Sequence, residues 1–190
     1  SGCSGSASSA GVAAGGDWVT GLDELLLGRQ IGRGLTCTVL VGARRSDGAR
    51  CALKVIERRC VTGEKAALRI LREKEALLAA YDAPGVVRLL GTLKDEARLY
   101  FVLEYLNGGE LLWHIRRGGQ RGQSPAAVTS GNASVGDEAQ GLRATGIDAA
   151  AARIVTGSVV LALDHLYDRL SLLYRDLKPT NILVPSNGVP

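Results

Sequence analysis

Asp176, Lys178 and Asn181 stand close together in the stretch YRDLKPTN (174–181). These three residue types suit one kind of reaction. A carboxylate such as Asp176 accepts a proton from a hydroxyl nucleophile. A lysine two residues on offsets the charge of a phosphate in transfer. An asparagine amide oxygen, five residues after the aspartate, is an uncharged ligand for a hard cation such as Mg²⁺. Arg175 is placed to anchor the loop to other charges.

Two stations upstream add to this set. In CALKVIE (51–57), Lys54 falls in the middle of an apolar run. A lysine on a buried strand is costly unless a counter-charge meets it. Glu73 lies in the next periodic segment, 19 residues on, and is the candidate partner. In IGRGLTCTVL (31–40), Gly32 and Gly34 sit at a bend. With no side chain there, backbone N–H groups can approach a phosphate closely.

These residues need a scaffold that holds them. LLLGRQIG (25–32), TVLVGARR (38–45) and RCALKVIERR (50–59) read as strands, with Asp47-Gly48 as a hairpin signal. EKAALRILREKEALLAA (64–80) reads as a helix, with Ala67, Leu68, Leu71 and Leu78 as its apolar stripe. VVRLLGTL (86–93) and RLYFVLEYL (98–106) read as two more strands around the turn residues Lys94-Asp95-Glu96. GGELLWHIRR (108–117) starts a second helix. A third runs through TGIDAAAARIVTGSVVLALDHLYDRL (145–170), with Thr145 and Asp148 as a capping box. The order is a five-stranded sheet with one helix, followed by helices. Residues 1–20 read as a disordered lead, 21–106 as one lobe and 107–190 as a second. Residues 118–146 read as a flexible insertion rich in small and polar residues.

The composition is globular, with 46% hydrophobic and 22% charged residues. A net charge of +4 does not make a nucleic-acid binder: the pairs Arg44-Arg45, Arg58-Arg59 and Arg116-Arg117 are scattered and lack interleaved aromatics. The four cysteines have no metal-ligand spacing, which reads as idle thiols in a reducing, cytoplasmic setting. No uninterrupted apolar run has the length of a membrane span; IVTGSVVLAL (154–163) has the length of a core helix. No nucleic acid and no membrane are expected as partners.

In this order, the glycine bend, the A-L-K strand, the helix glutamate and YRDLKPTN resemble the protein kinase family over roughly residues 22–190. DLKPTN is similar to the serine/threonine type. Tyr174 and EYLNGGEL resemble the AGC group, which includes the cyclic-nucleotide-dependent kinases. The resemblance implies an α+β bilobal fold. The first lobe would be a five-stranded antiparallel sheet with one helix, and the second a partial helical lobe. It implies transfer of the γ-phosphate of ATP, with Mg²⁺, to a serine or threonine of a protein substrate. Ile31, Gly32, Gly34, Val39 and Ala52 would cover the nucleotide. Lys54 would hold the α- and β-phosphates, braced by Glu73. Leu103 would be the gatekeeper, with Glu104 to Leu106 the hinge and Leu183 the floor of the adenine site. Glu110 would meet the ribose or a basic substrate residue. Asp176 would orient the hydroxyl, Lys178 would face the γ-phosphate and Asn181 would bind the metal.

The sequence departs from the family pattern at three places. Cys37 replaces the third glycine of the bend, and its side chain should stiffen the flap. Thr180 replaces the glutamate usual in kinases that prefer basic peptides. Glu110 and Asp176 are 66 residues apart because of the insertion. The family's Asp-Phe-Gly follows the asparagine by about a dozen residues, and the sequence runs nine residues past Asn181. The expectation is therefore that this stretch does not transfer phosphate by itself. The alternative is a non-catalytic lobe that serves as a nucleotide-binding or scaffold module.

Overall fold

The computed structural model describes residues 18–34, 36–117 and 146–185. Most of the expected lead and of the expected insertion lies outside these residues. Five strands form one antiparallel sheet: β1 (Leu25–Arg33), β2 (Cys37–Arg44), β3 (Arg50–Glu57), β4 (Leu89–Lys94) and β5 (Arg98–Glu104), in the order β1-β2-β3-β5-β4. The helices are α1 (Glu64–Ala79), α2 (Leu111–Arg117) and α3 (Ala149–Asp164). The α+β class and the five-stranded antiparallel sheet agree with the reading of the sequence.

Alternation along the strands gives the sheet two different faces. Cys51, Leu53 and Val55 of β3 pair with Glu104, Val102 and Tyr100 of β5. Leu53, Val102 and Cys51 are fully buried, and with Val19, Leu25, Val55 and Tyr100 they form the core. Trp18 and Leu22 pack against that cluster, so Trp18, inside the expected lead, is part of the packed structure. The Arg44 guanidinium covers the Trp18 ring at 4.5 Å and donates to the Trp18 carbonyl at 3.0 Å, tying this segment to β2.

The turns follow their residues. At Asp47-Gly48, Gly48 takes φ +73°, and Asp47 Oδ1 accepts the Ala49 N–H at 3.0 Å. Asp95 does the same for the β4–β5 turn, accepting from Ala97 and Arg98 at 2.8 and 2.7 Å.

Several expected boundaries move. β3 ends at Glu57, and Arg58–Cys60 form a 3₁₀ turn. β4 starts at Leu89 rather than Val86, and β5 stops at Glu104. α2 starts at Leu111, because Gly109 takes φ +80°, outside helical space. α3 is capped by Asp148, whose Oδ1 accepts the Ala151 N–H at 2.7 Å; Thr145 lies outside the described residues. A π-helical turn, His165–Arg169, extends α3. Ala149–Arg169 then makes 21 continuous residues, long and apolar enough by length and composition to cross a membrane. The ten-residue apolar run read from sequence understates it, because small residues extend the helix at its start.

The stripe on α1 is also corrected. Leu68 and Leu71 are 40% and 49% exposed, and Ala67 is exposed with them. The half-buried positions are Ala66, Ile70, Glu73, Lys74, Ala76, Leu77 and Leu78, so of the expected stripe Leu78 is covered while Ala67, Leu68 and Leu71 face outward.

The chain divides into two compact units, Ser1–Tyr81 with Val87–Glu104, and Asp82–Val86 with Tyr105–Pro190. Residues 82–86 thus belong with the second unit, although the sequence places them in the first lobe. Gly85, at φ +73°, brings its backbone against α3; a Cβ there would sit 3.2 Å from the Ala162 Cβ. Ala83 and Ala162 are both buried.

Candidate functional site

In the first unit, register places the candidate residues on the face of the sheet opposite the core. Val39 pairs with Lys54, and Ala52 pairs with Leu103. Ala52 and Lys54 are two apart on β3, so all four side chains share one face. Ile31 and Gly32 lie at the end of β1, where two register shifts bend the strand, and Gly32 pairs with Val39. The Gly34 N–H donates to the Cys37 carbonyl at 2.8 Å and closes the bend. The Cys37 Sγ would lie 3.1 Å from a Cβ on Gly34, so the thiol tucks beneath the glycine. An alanine at Gly34 would press on that sulfur.

Lys54 and Glu73 meet as a side-chain ion pair, with side chains 23% and 39% exposed. This contact fixes the rotation of α1. With Glu73 turned to the sheet, Ile70 and Leu77 turn with it, and Leu68 and Leu71 face outward. At the end of β5, Glu104 is held by Arg88: its carboxylate accepts the Arg88 backbone N–H at 2.9 Å and Nε at 3.1 Å. The sequence reading did not single out Arg88. An arginine and a glutamate near the ends of two adjacent strands was the available signal.

In the second unit, the loop after α3 holds its polar residues together. Lys178 Nζ lies 2.9 Å from Asp176 Oδ2. Asn181 Nδ2 donates to the Asp176 carbonyl and to Oδ2, each at 2.9 Å. Lys178 first, and then Asn181, hold the Asp176 carboxyl below the usual carboxylate range. It therefore stays ionised and able to accept a hydrogen bond from a hydroxyl. Arg175 takes φ +63°, a left-handed conformation that costs a non-glycine residue on the order of 1 kcal/mol. That turn points the chain so that Asp176 N–H reaches the Tyr174 carbonyl at 2.9 Å. Pro179 then opens a 3₁₀ turn, Pro179–Asn181, which brings Asn181 back beside Asp176.

Asn181 spends its amide nitrogen on Asp176, so its Oδ1 remains for a hard cation. The donor chemistry thus fits Mg²⁺ held partly by a phosphate ligand. Among the described residues, no group of three His, Cys, Asp or Glu could hold a metal alone.

Glu110 and Leu183 form an antiparallel bridge, so two candidate positions are brought opposite each other. Leu111 N–H to Ile182 O and Val184 N–H to Gly109 O, each 2.8 Å, complete a short ladder that ties the start of α2 to the segment after Asn181. Gly108 is required there, because a Cβ would run into the Val184 carbonyl. Leu106 is half-buried just past β5.

Comparison with known proteins agrees with this layout. Residues 25–189 match the protein kinase domain family. The serine/threonine-protein kinase Sgk2 of Rattus norvegicus is 34% identical over 158 residues, 83% of this chain and 36% of that protein. Sgk1-B of Xenopus laevis is 31% identical over 158 residues, covering 83% of this chain and 30% of its own length. The cGMP-dependent protein kinase of Toxoplasma gondii is 33% identical over 165 residues, 87% of this chain and 14% of that protein. The chain spans about a third or less of the length of these relatives. Both halves of the candidate machinery, and the whole of the Ala149–Arg169 helix, lie inside the matched stretch. The chain belongs to the protein kinase domain family.

Proposed function

We propose that this chain is the nucleotide-binding part of a protein serine/threonine kinase that uses ATP and Mg²⁺ and acts on hydroxyl side chains of proteins. The observation that carries this reading is the Lys54–Glu73 ion pair on the sheet face that also bears Val39, Ala52 and Leu103. In phosphoryl transfer, positioning and charge stabilisation supply nearly all of the catalysis, and a braced lysine is one of the required parts. Lys54 holds the α- and β-phosphates, and the N–H groups around Gly32 and Gly34 lie over them. Asp176 accepts and orients the substrate hydroxyl. Lys178 faces the transferred group. Asn181 offers Oδ1 to the metal, whose role is to neutralise charge on the phosphate oxygens. Thr180, in place of a carboxylate, weakens the preference for an arginine-rich peptide. Sgk2 and Sgk1-B carry the serine/threonine type in their names, which supports the same assignment here.

Titration of the folded chain with Mg-ATP, read by calorimetry, tests this. The expected outcome is saturable binding that Lys54→Met weakens by at least about tenfold, the scale of a lost charge-assisted contact. Folded chain that binds no nucleotide overturns the proposal.

A further inference from the structure

A second feature of the first unit adjoins the Lys54–Glu73 pair, and its other lining residues have none of these roles. Cys37, Cys60, Lys65, Arg69, Lys54 and Glu73 line one open cavity of about 360 Å³. That volume lies in the range of small-molecule sites, about 300–1,000 Å³. Its wall carries two thiols and an excess of positive charge. Lys54 is neutralised by Glu73, whereas Lys65 and Arg69, one turn apart on α1, make no ion pair among the described residues. The two thiols are accessible: Cys37 is half-buried and Cys60 is exposed. The third described thiol, Cys51, is buried in the core, where burial pushes it up to about 11.

We infer that this cavity is a thiol-exchange site for an acidic low-molecular-weight disulfide of the glutathione type, with Cys37 as the residue modified. Lys65 and Arg69 receive the carboxylates of the incoming disulfide, and the bend at Gly34 holds the Cys37 sulfur at the cavity edge. The Cys37 thiolate attacks one sulfur of the disulfide. A new S–S bond forms to Cys37, the old S–S bond breaks, and the second half leaves as a thiolate that takes up the proton Cys37 gave. Cys37 is oxidised and the departing half is reduced, so no further oxidant is needed. The adduct fills the cavity in front of Lys54 and excludes phosphate from it. This last consequence rests on the nucleotide-binding reading above.

Reduced, folded protein is incubated with glutathione disulfide and, separately, with cystamine, a cationic disulfide, at equal concentration. The adduct is followed by intact mass and peptide mapping. The expected result is one glutathionyl group on Cys37, reversed by dithiothreitol, with Cys51 untouched. Glutathione disulfide should react faster than cystamine by about fivefold, the scale of two exposed ion pairs. The double variant Lys65→Gln/Arg69→Gln should remove that preference. Reaction at Cys60 alone, equal rates for the two disulfides, or a preference that survives the double variant overturns the site. Mg-ATP titration before and after modification separates the two proposals. Binding that falls at least about tenfold on modification supports the regulatory step, and unchanged binding overturns it. If the unmodified chain binds no nucleotide, the functional reading fails, while the charge preference still decides the thiol site.

Discussion

Asp47 illustrates how much one side chain in this chain does at close range. It receives Arg44 Nη2 at 2.5 Å and Nε at 3.0 Å, and also the Ala49 N–H. Arg44, first of all, draws its carboxyl down from 3.8 to about 2. The same guanidinium covers Trp18, so one arginine joins the β2–β3 turn to the edge of the core. Because the folded value is the lower one, the stabilisation from Asp47 is complete above about 3.8. It is lost as pH falls through the window from there to about 2. An NMR titration of the carboxyl should show a midpoint near the bottom of that window. Asp47→Asn should make the acid-unfolding curve flatter across it. A midpoint at the ordinary carboxylate value would mean that the Arg44 contact is not made in solution.

At the scale of elements, α1 is set by a tertiary contact rather than by its own pattern. Its sequence offers two overlapping apolar stripes, Ala67/Leu68/Leu71/Leu78 and Ala66/Ile70/Leu77, and period alone does not choose between them. The Lys54–Glu73 pair chooses, because Glu73 lies on the second stripe. Leu71 is left half exposed, so Leu71→Gln should change unfolding stability by less than about 0.5 kcal/mol. Leu53→Ala, at a fully buried position on β3, should cost about 2–5 kcal/mol. Denaturant melts of both variants check this pair, and a cost of about 2 kcal/mol at Leu71 would mean that the outer face of α1 is covered.

The same contrast explains what the sequence does and does not disclose. The strands and YRDLKPTN are legible because their signals are local: alternation, turn residues and a fixed spacing of polar groups. The start of β4 is not. Val86 and Val87 favour a strand, but the neighbouring Gly85 packs against α3 in the second unit. Arg88 was missed because an arginine at a strand end is not costly unpaired, unlike Lys54 in an apolar run, so nothing in the sequence asks for Glu104 as its partner. The left-handed Arg175 was missed because nothing but tertiary packing asks a non-glycine residue to adopt that backbone.

For the molecule as a whole, the proposed functions are distributed over two separately packed units. Lys54, Glu73 and the glycine bend belong to the first, and Asp176, Lys178 and Asn181 to the second. Each set is organised by contacts within its own unit: the Lys54–Glu73 pair in one, the Asp176–Lys178–Asn181 hydrogen bonds in the other. Substitutions in the two sets should therefore have separable effects. Lys54→Met acts on nucleotide affinity. Asp176→Asn removes the carboxylate proposed to take the proton of the substrate hydroxyl but leaves Lys54, Glu73 and the bend untouched. It should keep the Kd of this chain for Mg-ATP within about twofold, and the same substitution in a complete kinase domain should lower kcat for phosphoryl transfer by about 100-fold or more, the lower end of a lost general base. Asp176→Asn keeps the shape of the side chain and can still accept from Asn181 through one oxygen, so loss of folding is not the expected route. Nucleotide titration of this chain, alongside a transfer assay of the same two substitutions in a complete kinase domain, reads both quantities. A parallel fall of affinity and rate in Asp176→Asn would contradict the division, and an unchanged kcat would remove Asp176 from its proposed role.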